Sequence, residues 1–238
     1  MSYRKYFYPP ASGVFLYFMI FLALLLLFPF VVLGITKVVF GNLGFTVTDA
    51  ALIIILSLLG SMVNIPVFKL RGKEPIIKMD YYTLFGITYP VPTIVDEKPR
   101  TVVALNVGGA IIPIILSAYV WYREVGYSLE IFVAVLLVAI VVNRLAKPVR
   151  GMGIVVPAFI PPFLAAIIAL LISLQHAELS FSLAYVGGSL GTLIGADLMN
   201  IHRLSELRAQ IVSIGGAGTF DGVFMSGILA VLITFILR

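Results

Sequence analysis

Of 238 residues, 61% are hydrophobic, 11% are charged and none is cysteine, and the mean hydropathy is +1.12. So much apolar surface cannot be hidden inside a soluble domain of this size, which excludes an ordinary soluble enzyme and points to a polytopic protein of the cell membrane whose first partner is the lipid bilayer. The lack of cysteine excludes disulfides and thiolate chemistry; with only His176 and His202 besides, no metal centre and no cofactor are expected, and the net charge of +5 sits at the ends of apolar runs instead of forming a nucleic-acid stripe.

Seven apolar runs are long enough to cross a hydrocarbon core, which needs about 20 helical residues. The first, residues 13–36, follows Arg4 and Lys5, but it is too long for a secretion signal and lacks a small-residue cleavage site, so it is expected to stay as a helix. The second covers residues 47–68. Residues 69–100 then form the longest polar stretch, and their centre, from Asp80 to Val95, is rich in β-branched and aromatic residues punctuated by Gly and Pro. It reads as a short β-like cytoplasmic hairpin lying against the membrane, either an ordered loop without activity or an edge that accepts an extended peptide. The third and fourth runs are residues 101–121 and 128–143.

The fifth run, residues 154–174, opens on Pro157-Ala158-Phe159-Ile160-Pro161-Pro162. Three prolines so close together interrupt a regular helix, making this stretch either a helix entrance or the lining of a cavity in which Pro157 and Pro161 meet a substrate. The sixth and seventh runs are residues 181–200 and 221–237. With the amino terminus in the cytoplasm, thirteen of the sixteen Lys and Arg residues fall on the cytoplasmic side, and Lys37, Arg123 and Arg238 lie outside. The expected fold is an all-α polytopic membrane helix bundle, a single integral membrane domain over residues 1–238 with about seven transmembrane helices, N-in and C-out.

Two acids stand out in this setting, Asp197 in Gly195-Ala196-Asp197 and Asp221 after Gly215-Gly216-Ala217-Gly218-Thr219-Phe220. An ionisable side chain at or near hydrocarbon depth is costly and marks a site by default. The topology puts Asp197 near the end of one helix and Asp221 near the start of the next, both in the cytoplasmic half, and consecutive antiparallel helices usually pack side by side. Two carboxyls close together in a poor dielectric cannot both ionise, so one keeps a proton as general acid while the other activates water, which is aspartic-protease chemistry. Gly215, Gly216 and Gly218 would border the substrate, their amides able to cradle a carbonyl. Structural readings compete: Asp221 as a helix cap, Asp197 as the partner of Arg203 or Arg208. Gly187, Gly191 and Gly195 lay a smooth strip on one face of the sixth helix. Asp49 reads as a cap, and Asn64, Asn106 and Asn143 as interhelical hydrogen-bonding groups.

The order and placement of Asp197 and Asp221 resemble the presenilin and signal-peptide-peptidase group of intramembrane aspartic proteases, with Asp197 matching the first acid and Asp221 the second. The resemblance covers about the last quarter of the chain. Ala196 stands where that group has tyrosine, and Thr219-Phe220 separate the Gly216-x-Gly218 pair from its acid. The group's Pro-Ala-Leu motif has only an echo, Pro157-Ala158-Phe159, ahead of both acids. As a whole the chain is similar to an uncharacterised family of prokaryotic membrane proteins of unknown function. The leading expectation is therefore an intramembrane aspartic protease cutting a transmembrane or membrane-proximal peptide. The alternatives are a proton- or cation-coupled transporter, built around the same acids and broken helices, and a non-catalytic membrane scaffold.

Overall fold

The structure is a computed structural model and describes residues 11–71, 76–84, 87–95, 100–149, 153–207, 211–216 and 222–238. The chain divides into two compact units, residues 1–50 and 51–238. The first holds α1 (Ala11–Asn42) and the opening of α2 (Val47–Gly60). Side chains of α1 from Phe15 to Leu33 are exposed and apolar on every face, a pattern that suits hydrocarbon around the helix and not water. The start of α2 is a reciprocal cap: Asp49 Oδ2 accepts from the Thr46 amide at 3.0 Å and from Thr46 Oγ1 at 2.6 Å, while the Asp49 amide donates to Thr46 Oγ1 at 3.2 Å. Two amides at the helix start are thereby satisfied, and Asp49 is structural.

The second unit continues with β1 (Asn64–Arg71), β2 (Ile76–Leu84), β3 (Ile87–Val95), β4 (Arg100–Asn106), α3 (Ile112–Arg123) and α4 (Ser128–Leu145). It is completed by β5 (Lys147–Val149), β6 (Gly153–Val155), α5 (Ile160–Ile172), α6 (Ser180–Thr192), β7 (Ile211–Ile214) and α7 (Gly222–Leu237). The protein is thus mostly helical, with seven α-helices among the described residues. Three helical stretches are long and apolar enough to cross a membrane, Phe15–Asn42, Val125–Leu145 and Ala177–Leu204; Val47–Gly60, Val107–Arg123, Ile160–Ile172 and Gly222–Leu237 are shorter.

Three of the expected helical runs begin or end as strand. The second run leaves the helix at Gly60 and enters β1, and the first residues of the third run are β4, which pairs antiparallel with β1 from Asn64↔Asn106 to Arg71↔Arg100. Arg100-Thr101-Val102-Val103-Ala104-Leu105-Asn106 is apolar and β-branched, and hydrophobicity alone cannot separate a buried strand from a helix. A bulge between Pro66 and Phe68 accommodates the proline in β1. The fifth run starts in β6, and α5 begins only at Ile160, with Pro161 and Pro162 in the first turn, where their missing amides cost nothing.

In the main sheet the strand order is β1-β4-β7, with β4 and β7 parallel from Val102↔Ile211 to Leu105↔Ile214. Strands β2 and β3 form an antiparallel hairpin, Ile76↔Val95 to Leu84↔Ile87, and β5 and β6 a smaller one. Among the helices α6 is central, packed by α3, α4, α5 and α7, and nearly all of its residues are buried. Its glycine strip faces α4: a Cβ on Gly187 would meet Ala134 Cβ at 3.6 Å, one on Gly191 would press on Val138 at 2.6 Å, and one on Gly195 would run into the carbonyl oxygen of Ala139. The two helices therefore converge toward Gly195 until backbone meets backbone.

Candidate active site

At its carboxyl end α6 passes into a π-helical turn, Leu193–Asp197, and then into a 3-10 stretch, Leu198–Leu207. A π turn holds an extra residue and disturbs the regular ladder of amide-to-carbonyl bonds. Side-chain amides reinforce it here: Gly195 O accepts from Asn143 Nδ2 of α4 at 3.2 Å and from Asn200 Nδ2 at 3.0 Å, and Asn200 Nδ2 also reaches Ala196 O at 3.0 Å. Asp197 is the last residue of the turn and is half-buried. Its Oδ2 accepts from the backbone amide of Gly215 at 2.7 Å. Arg203 does not serve it; its Nη1 donates to Asn200 Oδ1 at 3.2 Å. Arg208 lies outside the described residues.

Gly215 follows β7 with φ of 71°, in the left-handed region. A Cβ there would sit 2.7 Å from the carbonyl carbon and oxygen of Gly109 and 2.8 Å from Ala110 Cβ. Only glycine lets the chain leave β7 in this conformation while pressed against the π turn Val107–Ile111 that opens α3. That turn is capped by Asn106, whose Oδ1 accepts from the Gly109 amide at 2.8 Å. Asn106 Nδ2 donates to Ser61 O at 2.7 Å and to Asn64 Oδ1 at 3.1 Å, and Asn64 Oδ1 also accepts from Ser213 Oγ. One polar joint thus ties β1, β4, β7 and the start of α3 together, and Gly215 hands it on to Asp197.

An apolar cluster underlies the joint: Val103 of β4, Ala110 of the first π turn, Leu193 of the second, Leu204, Ile214 of β7 and Val223 of α7, with Ile154 of β6 packed against it. Leu193 lies four residues before Asp197 in sequence, and Val223 two after Asp221. The cluster therefore gathers the flanks of both acids. Asp221 itself and Gly218 lie outside the described residues.

Of the other expected site residues, Gly215 has its amide committed to Asp197, and Gly216 is packed against Ser213 and Asn106. Pro161 is buried in the first turn of α5, whereas Pro157 is exposed and its carbonyl accepts from the Ile160 amide at 3.1 Å. Asn143 bridges helices as expected, but Asn64 and Asn106 join strands and cap a turn instead. Asn200 and Ser213 were not singled out from the sequence. Asn200 carried one local signal, an asparagine just past a buried helix end, where an amide can reach free carbonyls. Among the described residues no group of His, Asp and Glu is arranged to hold a metal ion.

A family model described as a protein of unknown function (DUF1614) matches residues 58–233. The chain belongs to this family. The DUF1614 match runs from the end of α2 into α7, so it takes in β1 to β7 together with Asp197 and Asp221 and leaves α1 outside. Nothing among curated proteins or solved structures matches the chain. The comparisons thus show a family of unknown function and no resemblance to aspartic proteases.

Proposed function

We propose that this DUF1614 chain is an intramembrane aspartic peptidase. Asp197 and Asp221 share one proton and hydrolyse a peptide bond of a membrane-embedded or membrane-proximal substrate. In this reading the protein is multi-pass in the cell membrane, with about seven spans, N-in and C-out, and the acids open to the cytoplasm. The observation that carries it is the 2.7 Å bond from the Gly215 amide to Asp197. It fixes one carboxylate against the segment that leads, six residues on, to the other. The shared cluster of Leu193 and Val223 supports the same pairing. With one carboxyl ionised, water loses a proton to it as it attacks the carbonyl; the protonated partner then supplies the proton that the leaving amine needs.

Peptide bonds in a helix are shielded by their own hydrogen bonds, so a transmembrane substrate must be drawn out before it is cut. The sheet offers a way to do this, because among the described residues β7 is paired on one side only, with β4. An extended segment added to its other side would run toward Gly215 and Asp197.

The test is cleavage of a single-span reporter peptide in proteoliposomes. Asp197→Asn and Asp221→Asn should each lower the rate by at least about a hundredfold while leaving the melting temperature near that of the parent. Full activity in either variant defeats the proposal. The π turn that ends α6 and carries Asp197 as its last residue also suits a proton- or cation-coupled carrier. Ion flux that disappears in the same variants, in preparations that cleave nothing, would establish that second reading instead.

A further inference from the structure

The β2–β3 hairpin stands apart from the sheet beneath the candidate site: among the described residues its strands pair with each other and with no third strand. Residues opposite each other in an antiparallel ladder alternate between hydrogen-bonded pairs and closer pairs, in which the amides and carbonyls point away from the partner strand. Thr83 and Thr88 are a pair of the second kind, with their hydroxyls 3.2 Å apart. Counting by two, so are Tyr81↔Pro90 and Met79↔Pro92. Proline does no harm at such positions, because the amide it lacks would have pointed outward.

The two outer edges of the hairpin therefore differ. Along β3 the outward backbone belongs to Thr88, Pro90, Pro92 and Ile94, and with two of these four amides missing a further strand cannot pair there regularly. Along β2 it belongs to Ile77, Met79, Tyr81 and Thr83, each with both its amide and its carbonyl. The side chains of Met79, Tyr81 and Thr83 are exposed. An edge strand of nine residues with its donors and acceptors complete is a template for another strand, and a two-stranded hairpin gains stability when strands are added to it.

We propose that the outer edge of β2 pairs antiparallel with β2 of a second copy of this chain, centred on Met79, to give a four-stranded sheet in the order β3-β2-β2-β3. Charge selects both the occupant and the register. Centred on Met79, Lys78 stands opposite Asp80 of the second copy and Asp80 opposite its Lys78, two opposite-charge pairs at the positions where facing residues come closest. Centred on Asp80 the two copies of Asp80 meet, and centred on Lys78 the two lysines meet, which like charges disfavour. Centred on Tyr81, Lys78 faces Leu84 and the charges are not matched. The two-fold axis of an antiparallel strand pair is perpendicular to the sheet. Two copies standing the same way up in one membrane satisfy it when the sheet lies along the membrane surface, which is how the sequence of this hairpin reads.

Disulfide trapping tests the pairing, because the chain contains no cysteine. Met79→Cys puts one thiol at the centre of the interface, where the two Cα atoms would lie about 5.5 Å apart, within disulfide reach. In isolated membranes oxidised with copper phenanthroline, the full-length variant should run as a covalent dimer of itself. Thr88→Cys, on the same face of the hairpin but on β3, would lie at least three strand spacings, about 14 Å, from its copy and should stay monomeric. In the Met79→Cys chain, Lys78→Glu or Asp80→Lys alone should lower the dimer yield about tenfold by setting like charges opposite each other, and the two together should restore it. A Met79→Cys chain that stays monomeric overturns the proposal, as does one that joins a protein of another mass, the result expected if a foreign extended peptide fills the edge. Equal yields from Met79→Cys and Thr88→Cys, or a double exchange that restores nothing, overturn it too. None of these variants touches Asp197 or Asp221, so the pairing and the peptidase reading can fail separately.

Discussion

Gly215 is the residue on which the geometry of the candidate site turns. It supplies the amide that holds Asp197, occupies a backbone region that side chains avoid, and presses on Gly109 and Ala110 closely enough that a methyl group has no room. Gly215→Ala should therefore cost about 2 kcal/mol or more, which for a chain of this length lowers the melting temperature by about 4–8 °C. A thermal melt in detergent within one degree of the parent would show that the contact is not as tight as described. Capping does not account for Asp197, because the negative end of a helix dipole disfavours an anion. The sequence could not say what held it there instead. The partner is a backbone amide eighteen residues away, and no pattern of side chains encodes which amide a carboxylate will meet. For the same reason Gly215 read as a substrate-facing residue, when its positive φ and its contact with Gly109 give it a structural duty.

The glycine strip of α6 was legible as a strip, since spacing by four fixes a helix face without further information. Its gradient was not, because that depends on how α4 crosses it. The gradient makes a sharp comparison. Gly187→Ala places a methyl in ordinary contact with Ala134, 3.6 Å away, and should be neutral or stabilising by up to about 1 kcal/mol through helix propensity. Gly195→Ala drives the same methyl into the Ala139 carbonyl, beside the turn that Asn143 and Asn200 hold, and should destabilise by about 1–3 kcal/mol. Denaturant titrations of the two variants settle the point; equal effects would mean that α4 and α6 do not converge. Strand boundaries were misread for a comparable reason. Within residues 47–68 and 101–121 apolar residues dominate the helical and the strand parts alike, and what makes β4 a strand is its neighbours β1 and β7 on either side, one of them more than a hundred residues away.

At the scale of the molecule, the connections between helices alternate in kind. Those joining α3 to α4 and α5 to α6 contain only brief 3-10 turns, Val125–Tyr127 and Ala177–Leu179. Those joining α2 to α3, α4 to α5 and α6 to α7 hold the seven strands found among the described residues, and β1, β4, β5, β6 and β7 pack with one another or with the 3-10 stretch Leu198–Leu207. The strand-bearing connections are also where Lys69, Arg71, Lys73, Lys78, Lys98, Arg100, Lys147, Arg150, Arg203 and Arg208 fall. Structure and charge thus divide the chain in the same way, and in the topology proposed above the strand-bearing connections are the cytoplasmic ones. Helix length adds a constraint. The thirteen residues of α5 cover about 20 Å, against a hydrocarbon core of about 30 Å, so this helix would need the bilayer to thin around it or its apolar flanks to sit at membrane depth. The orientation can be measured directly because the chain contains no cysteine. Single-cysteine variants at Arg123 and Glu178 should react with a membrane-impermeant thiol reagent in intact cells, whereas Lys147→Cys, exposed on β5, should react only after the membrane is opened. Labelling of Lys147→Cys in intact cells would invert the topology and put Asp197 on the outer side. Failure of all three to react in intact cells, with all three reacting after permeabilisation, would mean that neither set of connections faces outward, and the multi-pass arrangement would fall with it.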